Sequence, residues 1–424
     1  MVQKRILALV LLSVTAMTGY AQPKFGGYVK FYHHNRFEGT NEVSRTGTRL
    51  QLTVQETLGS TAALFGSVDC DVDETRGRDE FFSERGASVD VYPVEMYVDL
   101  FWEKVDLRLG KQFIFWGKAE WVNPTDNINP WDYANMSAEI EDYRLPVTAA
   151  RLDVYLGPAT FQVVAVPLFV PHRIPRMSAR TIQLPGGPKL IWKEPTLPSA
   201  GLKHGQLACR FLHSFAGIDW SVSYYRGNDH SPSYRLSYRL DSLTSAIEWT
   251  PYFPSIQVMG ADFQKVFGSW GIRGEGAYFR TEDRDGRNVL VPNPHAQGVL
   301  TLDYTPTDRL ALAIQALLEQ RFKYHEDWER SQARSLGMDK PLPRRTSGAS
   351  GRFRWKMADY WDSQMIFVWN RETRDRFVLA FVNYQPADAL NLTLGGVFFG
   401  GKAGTPFGRM RDQDRIFFEV KASF

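Results

Sequence analysis

The sequence predicts an all-β fold: a transmembrane antiparallel β-barrel of about 18 strands, within a range of roughly 16 to 20. Three observations point there. Apolar and polar residues alternate through run after run, short and long connections take turns along the chain, and the chain runs from an export signal to an amphipathic strand ending at Phe424. Alternation alone also fits a soluble sandwich, in which polar faces meet bulk water. Connections sorted by length onto two rims fit a barrel with short periplasmic turns and long extracellular loops.

The first residues, MVQKRILALVLLSVTAMTGYAQ, combine Lys4 and Arg5, an apolar run from Ile6 to Val14, and the small residues Gly19 and Ala21 before Gln22. Residues 1–21 therefore read as a cleaved signal peptide, since the apolar run is short of the roughly 20 residues a spanning helix needs. Residues 22–424 then form a single barrel domain. The chain has 424 residues, 43% of them hydrophobic and 14% aromatic, at a mean hydropathy of −0.32. No later stretch approaches the apolar length of a membrane helix. Two cysteines, Cys70 and Cys209, exclude a disulfide framework. A net charge of +3, dispersed along the chain, does not suggest nucleic-acid binding.

Strands follow from period two. Leu50, Leu52 and Val54 alternate with Arg49, Gln51 and Thr53; Val94, Met96, Val98 and Leu100 alternate with Glu95, Tyr97 and Asp99. Ala150, Leu152 and Val154 oppose Arg151 and Asp153, and Phe353, Trp355 and Met357 oppose Arg352, Arg354 and Lys356. Three cations on one face do not fit a dry core but do fit a wet lumen. In the last strand Ile416, Phe418, Val420, Ala422 and Phe424 share one side; Arg415, Phe417, Glu419 and Lys421 share the other. Tight connections are expected near Gly59, Glu103, Gly157, Ala216, Gly268, Thr307, Asp359 and Ala387, and long ones at 72–87, 117–146, 170–199, 227–254, 281–295, 323–347 and 400–411. The alternating stretch 233–252 reads as a hairpin inside an external loop; as two further spanning strands it would raise the count to about 20.

By this alternation the lumen is lined by Arg49, Glu95, Asp99, Arg108, Arg151, Asp153, Arg273, Glu275, Arg352, Arg354, Lys356, Glu419 and Lys421. With Lys30, Arg210, Asp69, Asp106, Asp303 and Glu319 on the same face the two signs nearly balance, so the groups either pair along the wall or set a transverse field that tunes ion selectivity. One stretch, LRLGKQFIFWGKAEWVNPTDNINPWDY at 107–133, leaves the strand pattern. Asn123-Pro124 and Asn129-Pro130 repeat the same turn chemistry, with Asp126 and Asp132 placed to bond nearby amides, so an ordered loop packed against the inner wall is expected. The candidate constriction residues are Trp116, Gly117, Asn123, Pro124, Thr125, Asp126, Asn129, Pro130 and Asp132. The plainer reading is an ordered loop without a ligand. The acids Glu120, Asp126, Asp132, Glu139, Glu141 and Asp142 match no calcium-loop spacing, and neither a metal nor a cofactor is expected.

Gly110, Lys111 and Gln112 running into Trp116-Gly117, then Asn123-Pro124-Thr125-Asp126 and Asn129-Pro130 with Asp132, resemble a family of uncharacterised bacterial outer-membrane barrels of the porin superfamily. Segments 164–175 and 258–278 are similar to that family too, and 18-strand alginate-export channels are a more distant likeness. The resemblance implies an envelope transport role. The last strand resembles the outer-membrane assembly signal, with Phe424 read by the barrel assembly machinery. The expectation is a porin-like channel in the outer membrane of a Gram-negative bacterium. It would pass a small or hydrophobic solute, with selectivity set by the inward-folded loop 117–146 and lumen charges, and with outer-membrane lipid and lipopolysaccharide as partners. An exporter of a polysaccharide or lipid working with periplasmic partners is the alternative and would favour a continuous basic track. A barrel hydrolase is less favoured: adjacent His33 and His34 point to opposite faces of a strand, and no G-x-S-x-G elbow occurs.

Overall fold

The computed structural model describes residues 22–37, 43–75, 88–120, 122–133, 139, 143–174, 182–183, 189–201, 205–241, 244–335, 343–402, 405 and 407–424. The expected signal peptide, 1–21, lies outside the described residues. The alternating segments become strands. The first seven are β1 (Lys24–Arg36), β2 (Val43–Leu58), β3 (Ala62–Asp73), β4 (Ser88–Trp102), β5 (Val105–Gln112), β6 (Val147–Leu156) and β7 (Ala159–Val166). After the short β8 (Ile182–Gln183) and β9 (Lys189–Trp192) come β10 (Gln206–Phe215), β11 (Ile218–Asn228), β12 (Ser233–Asp241), β13 (Thr244–Tyr252), β14 (Ser255–Phe267) and β15 (Trp270–Arg280). The series ends with β16 (His295–Thr307), β17 (Leu310–Arg321), β18 (Arg345–Ala358), β19 (Trp361–Asn370), β20 (Arg376–Ala387), β21 (Leu390–Gly400) and β22 (Arg415–Ser423).

Eighteen of these form one antiparallel sheet in chain order, and β22 pairs with both β21 and β1 to close it. At the seam Lys30 faces Lys421, and Gly27 and Phe424 exchange backbone hydrogen bonds of 3.1 and 3.0 Å. Closure removes the edges that hydrocarbon could not satisfy. The polarity is inverted relative to a soluble protein: Leu300 and Ile314 on the outer face are 52% and 57% exposed, whereas Asp262 and Glu275 on the inner face are 4% and 5% exposed. The outer apolar band needs lipid to cover it. No helix among the described residues is long and apolar enough to cross a membrane. This is the closed 18-strand barrel of outer-membrane type.

The stretch 233–252 forms the hairpin β12–β13, outside the ring, in a four-stranded sheet with β9 and β8 from the 170–199 loop. The count is therefore 18 and not 20. Two details differ from the sequence reading. The outer connection 371–375 between β19 and β20 is as short as a periplasmic turn, so length alone did not place it. Loop 323–347 carries the ten-residue helix α1 (Glu326–Ser335), supported by a Glu326–Arg330 pair of 2.5 Å. Its polar sequence shows no apolar helical stripe.

Leu300→Arg places a charge on the lipid face in the middle of β16. Unfolding of the refolded barrel in lipid vesicles is expected to show a loss of about 2–4 kcal/mol. Undiminished stability would mean that this face does not meet hydrocarbon.

Candidate functional site

The connection between β5 and β6 folds back inside the barrel, and its sequence explains how. Glu95 on β4 accepts the Phe113 amide at 2.9 Å and turns the chain inward. Asn129 then ties the two legs together, accepting the Ile114 amide at 2.7 Å and donating to the Leu145 carbonyl at 2.8 Å. Asn123 donates to the Trp116 carbonyl at 2.8 Å, closing the first Asn-Pro turn on its own stem. Beneath, Ile114, Trp116 and Ile128 pack on Val164, Val166, Ala208, Tyr225 and Val258 of the inner wall, and the Trp116 indole donates to Gln162 at 2.6 Å.

The far side of the loop is fastened to the opposite wall. The Glu275 carboxylate accepts the amides of Lys118 (3.0 Å), Ala119 (2.8 Å) and Thr125 (3.1 Å), and the Thr125 hydroxyl at 2.5 Å. Gly117 passes so close, at φ +84°, that an added Cβ would lie 2.3 Å from Glu275 Oε1; no other residue fits there. Gln315 on β17 donates to the Val122 carbonyl at 2.9 Å, and Glu120 pairs with Arg273 at 2.9 Å and with Arg352 at 3.2 Å. Arg352 lies on β18, which is halfway round the ring from β5 in either direction. Glu275, Gln315 and Arg352 sit midway along their strands, so the contacts lie at the middle of the wall.

The returning leg is held by charge. Arg144 pairs with Asp126, donates to the Asn129 carbonyl at 3.0 Å and stacks 3.7 Å over the Trp131 ring. Burial pushes the Asp126 carboxyl up to about 6 against the pull of Arg144, and burial lowers Arg144 from its ordinary value. Glu139 meets Lys30 at 3.1 Å and Lys421 at 2.5 Å, and Tyr143 packs on Ile366, Phe377, Leu379 and Phe417. His172 accepts the Trp131 amide at 2.8 Å, while His230 contacts the carbonyls of Val170 and Asn127 at 2.6 and 3.2 Å. Burial keeps both rings neutral, His172 well below its ordinary value and His230 at about 4. Three outer loops are thereby locked to one another.

All thirteen wall residues read from the alternation lie on the inner face. Glu95, Glu275, Arg352 and Lys421 hold the loop, while others pair sideways: Arg108 with Asp99 (2.6 Å), Arg151 with Asp153 (2.9 Å), Arg273 with Asp303 (2.5 Å) and Arg354 with Asp362 (2.9 Å). Arg49 meets Asp69 and Asp71 at 3.5 and 3.4 Å, His34 meets Glu419 at 3.6 Å, and Lys356 lies opposite Asp362. The motif residues come together, but the aspartates act differently from the local turn bonds expected of them. Asp126 goes to Arg144 and to the Trp116 amide at 3.4 Å, and Asp132 pairs with Arg173 at 2.6 Å. A buried carboxylate is compensated better by a guanidinium than by a neighbouring amide. Pro124 and Pro130 are buried beside them. Of the acids weighed as calcium ligands, Glu120, Asp126, Asp132 and Glu139 each serve different cations, while Glu141 and Asp142 lie outside the described residues. Gln315, Arg144, His172 and His230 were not singled out in the sequence. Gln315, a lone amide on the inner face of the apolar run LALAIQALL, carried a readable signal.

Solved outer-membrane barrels share this fold. OccAB4 of Acinetobacter baumannii is similar at a TM-score of 0.55 and 9% identity, covering 95% of this chain and 98% of that one. OpdK of Pseudomonas aeruginosa, solved with vanillate, is similar at 0.56 and 9% identity over 95% and 98% of the two chains. OccAB1 of A. baumannii gives 0.54 and 8% identity over 95% and 96%. At such identities the likeness is one of fold. No curated protein matches the chain. The family model that does match spans residues 32–424, nearly the whole barrel, and the chain belongs to that family, described as protein of unknown function (DUF1302).

Proposed function

We propose that the protein is an outer-membrane channel of a Gram-negative bacterium that passes a small or hydrophobic solute, and that loop 113–146 forms its constriction. The observation that carries this reading is the fastening of the loop, from a stem at β5 and β6, to Glu275, Gln315 and Arg352 at mid-wall. An 18-strand ring is wide enough for an aqueous path, and a loop held across it at mid-height sets the size of what enters. Likeness to OpdK, whose structure holds the small aromatic acid vanillate, supports a small organic cargo. Sideways pairing of the wall charges supports a neutral or weakly selective path over a polymer exporter, which needs a continuous basic track. Assembly through Phe424 by the barrel machinery belongs to the same proposal.

The test is planar-bilayer recording of the purified protein. Discrete conductance steps, reduced by solutes small enough to enter, are expected. A correctly folded barrel that never conducts would overturn the channel reading.

A further inference from the structure

On the outer surface of the barrel, near the extracellular rim, a notch of about 500 Å³ is lined by Arg226, Gln257, Arg280, Thr281, Glu282 and Arg284. Arg226 faces Gln257 across β11 and β14, and Gln257 faces Arg280 across β14 and β15, so the three stand in one row. By alternation they point outward, away from the inner-face neighbours Tyr225, Val258 and Ala277. The next outward row toward the periplasm is Tyr224, Met259 and Tyr278. Two tyrosines beside an apolar side chain at this height mark the aromatic girdle, so the arginine row lies at the level of lipid headgroups.

The chemistry of the notch is cationic and unspent. Arg226, Arg280 and Arg284 are exposed, and among the described residues their guanidinium groups make no hydrogen bond or ion pair. The single acid, Glu282, has its carboxylate engaged by the Tyr252 hydroxyl at 3.2 Å and the Ser255 amide at 3.3 Å. Thr281, only 4% exposed, has a buried hydroxyl without a hydrogen-bond partner. Guanidinium forks suit phosphate oxygens, and two strands' spacing sets the Arg226 and Arg280 backbones about 10 Å apart, room for one headgroup between them.

We infer that this notch binds the phosphorylated headgroup of lipopolysaccharide in the outer leaflet. The site faces lipid rather than the lumen, so it is independent of what the channel passes.

Native mass spectrometry of the detergent-purified barrel with added bisphosphorylated lipid A tests it. The parent protein is expected to carry a lipid A adduct, and Arg226→Gln/Arg280→Gln to weaken it at least about tenfold, because two charge-assisted bonds are lost. Both proteins should show the folded, heat-modifiable gel mobility. Dephosphorylated lipid A is expected to bind the parent no better than it binds the variant, and Glu282→Gln to keep or strengthen the adduct. Equal adducts on parent and double variant, or equal binding of dephosphorylated lipid A, would overturn the site. Displacement of lipid A by inorganic phosphate would overturn the lipid assignment.

Discussion

Glu275→Ala is expected to raise single-channel conductance several-fold while leaving the barrel closed. The carboxylate accepts three loop amides and one hydroxyl, and it is the densest single fastening of loop 113–146 to the wall. Removing it strands the buried Thr125 amide, at a cost of about 1–3 kcal/mol, and the half-buried amides of Lys118 and Ala119, at a smaller cost. Only the bonds from Gln315, Arg273 and Arg352 then remain on this side, so the loop is expected to swing away from the wall. Glu275 itself sits on β15 with ladder bonds on both sides, and those do not depend on its side chain. Glu275→Gln is the milder partner, since it still accepts at one oxygen but turns an unwanted donor toward the amides. Unchanged conductance in the alanine variant, with folding intact, would show that the loop does not limit passage.

Arg144→Met is expected to disorder the returning leg of the loop, and to do so less in acid. The side chain is 6% exposed and the Asp126 side chain 3%, so the variant leaves a buried carboxylate without its counter-charge. Breaking such a pair from one side costs about 3–5 kcal/mol. The sign of the pH effect follows from Asp126, whose docked form already holds its proton up to about 6. Loss of the guanidinium that lowers it moves it further up. A group whose docked pKa exceeds its free value favours docking when protonated, and that contribution is lost as pH rises through the docked value. The variant's defect should therefore shrink from pH 8 toward about 6.5, a window in which docked His172 and His230 remain neutral. Tryptophan fluorescence and protease cleavage of the loop at the two pH values read this directly. A defect of equal size at both, or none, would contradict the pair's role.

The wall was legible residue by residue. Arg352, Arg354 and Lys356 against Phe353, Trp355 and Met357 could be assigned to water and lipid because side chains on a strand alternate whatever the strand's neighbours are. The stretch 123–132 was legible as ordered, since Asn-Pro and Asn-Pro six residues on restrict the backbone before any tertiary contact forms. Its destination was not. Thr125 and Glu275 are 150 residues apart, and which wall a loop meets depends on how far round the ring its partner strand lies. Nor did length distinguish 371–375 from a periplasmic turn.

The sequence by itself determined the period of the strands and the polarity of each face, because these are local consequences of side-chain direction and hydropathy. Only the tertiary structure decided that β12–β13 stays outside the ring, that Glu275 and Arg352 hold the loop inside it, and that Arg226, Gln257 and Arg280 stand in one row. Those juxtapositions arise from strand register and closure, which bring distant residues to one height and leave no trace in their separation along the chain.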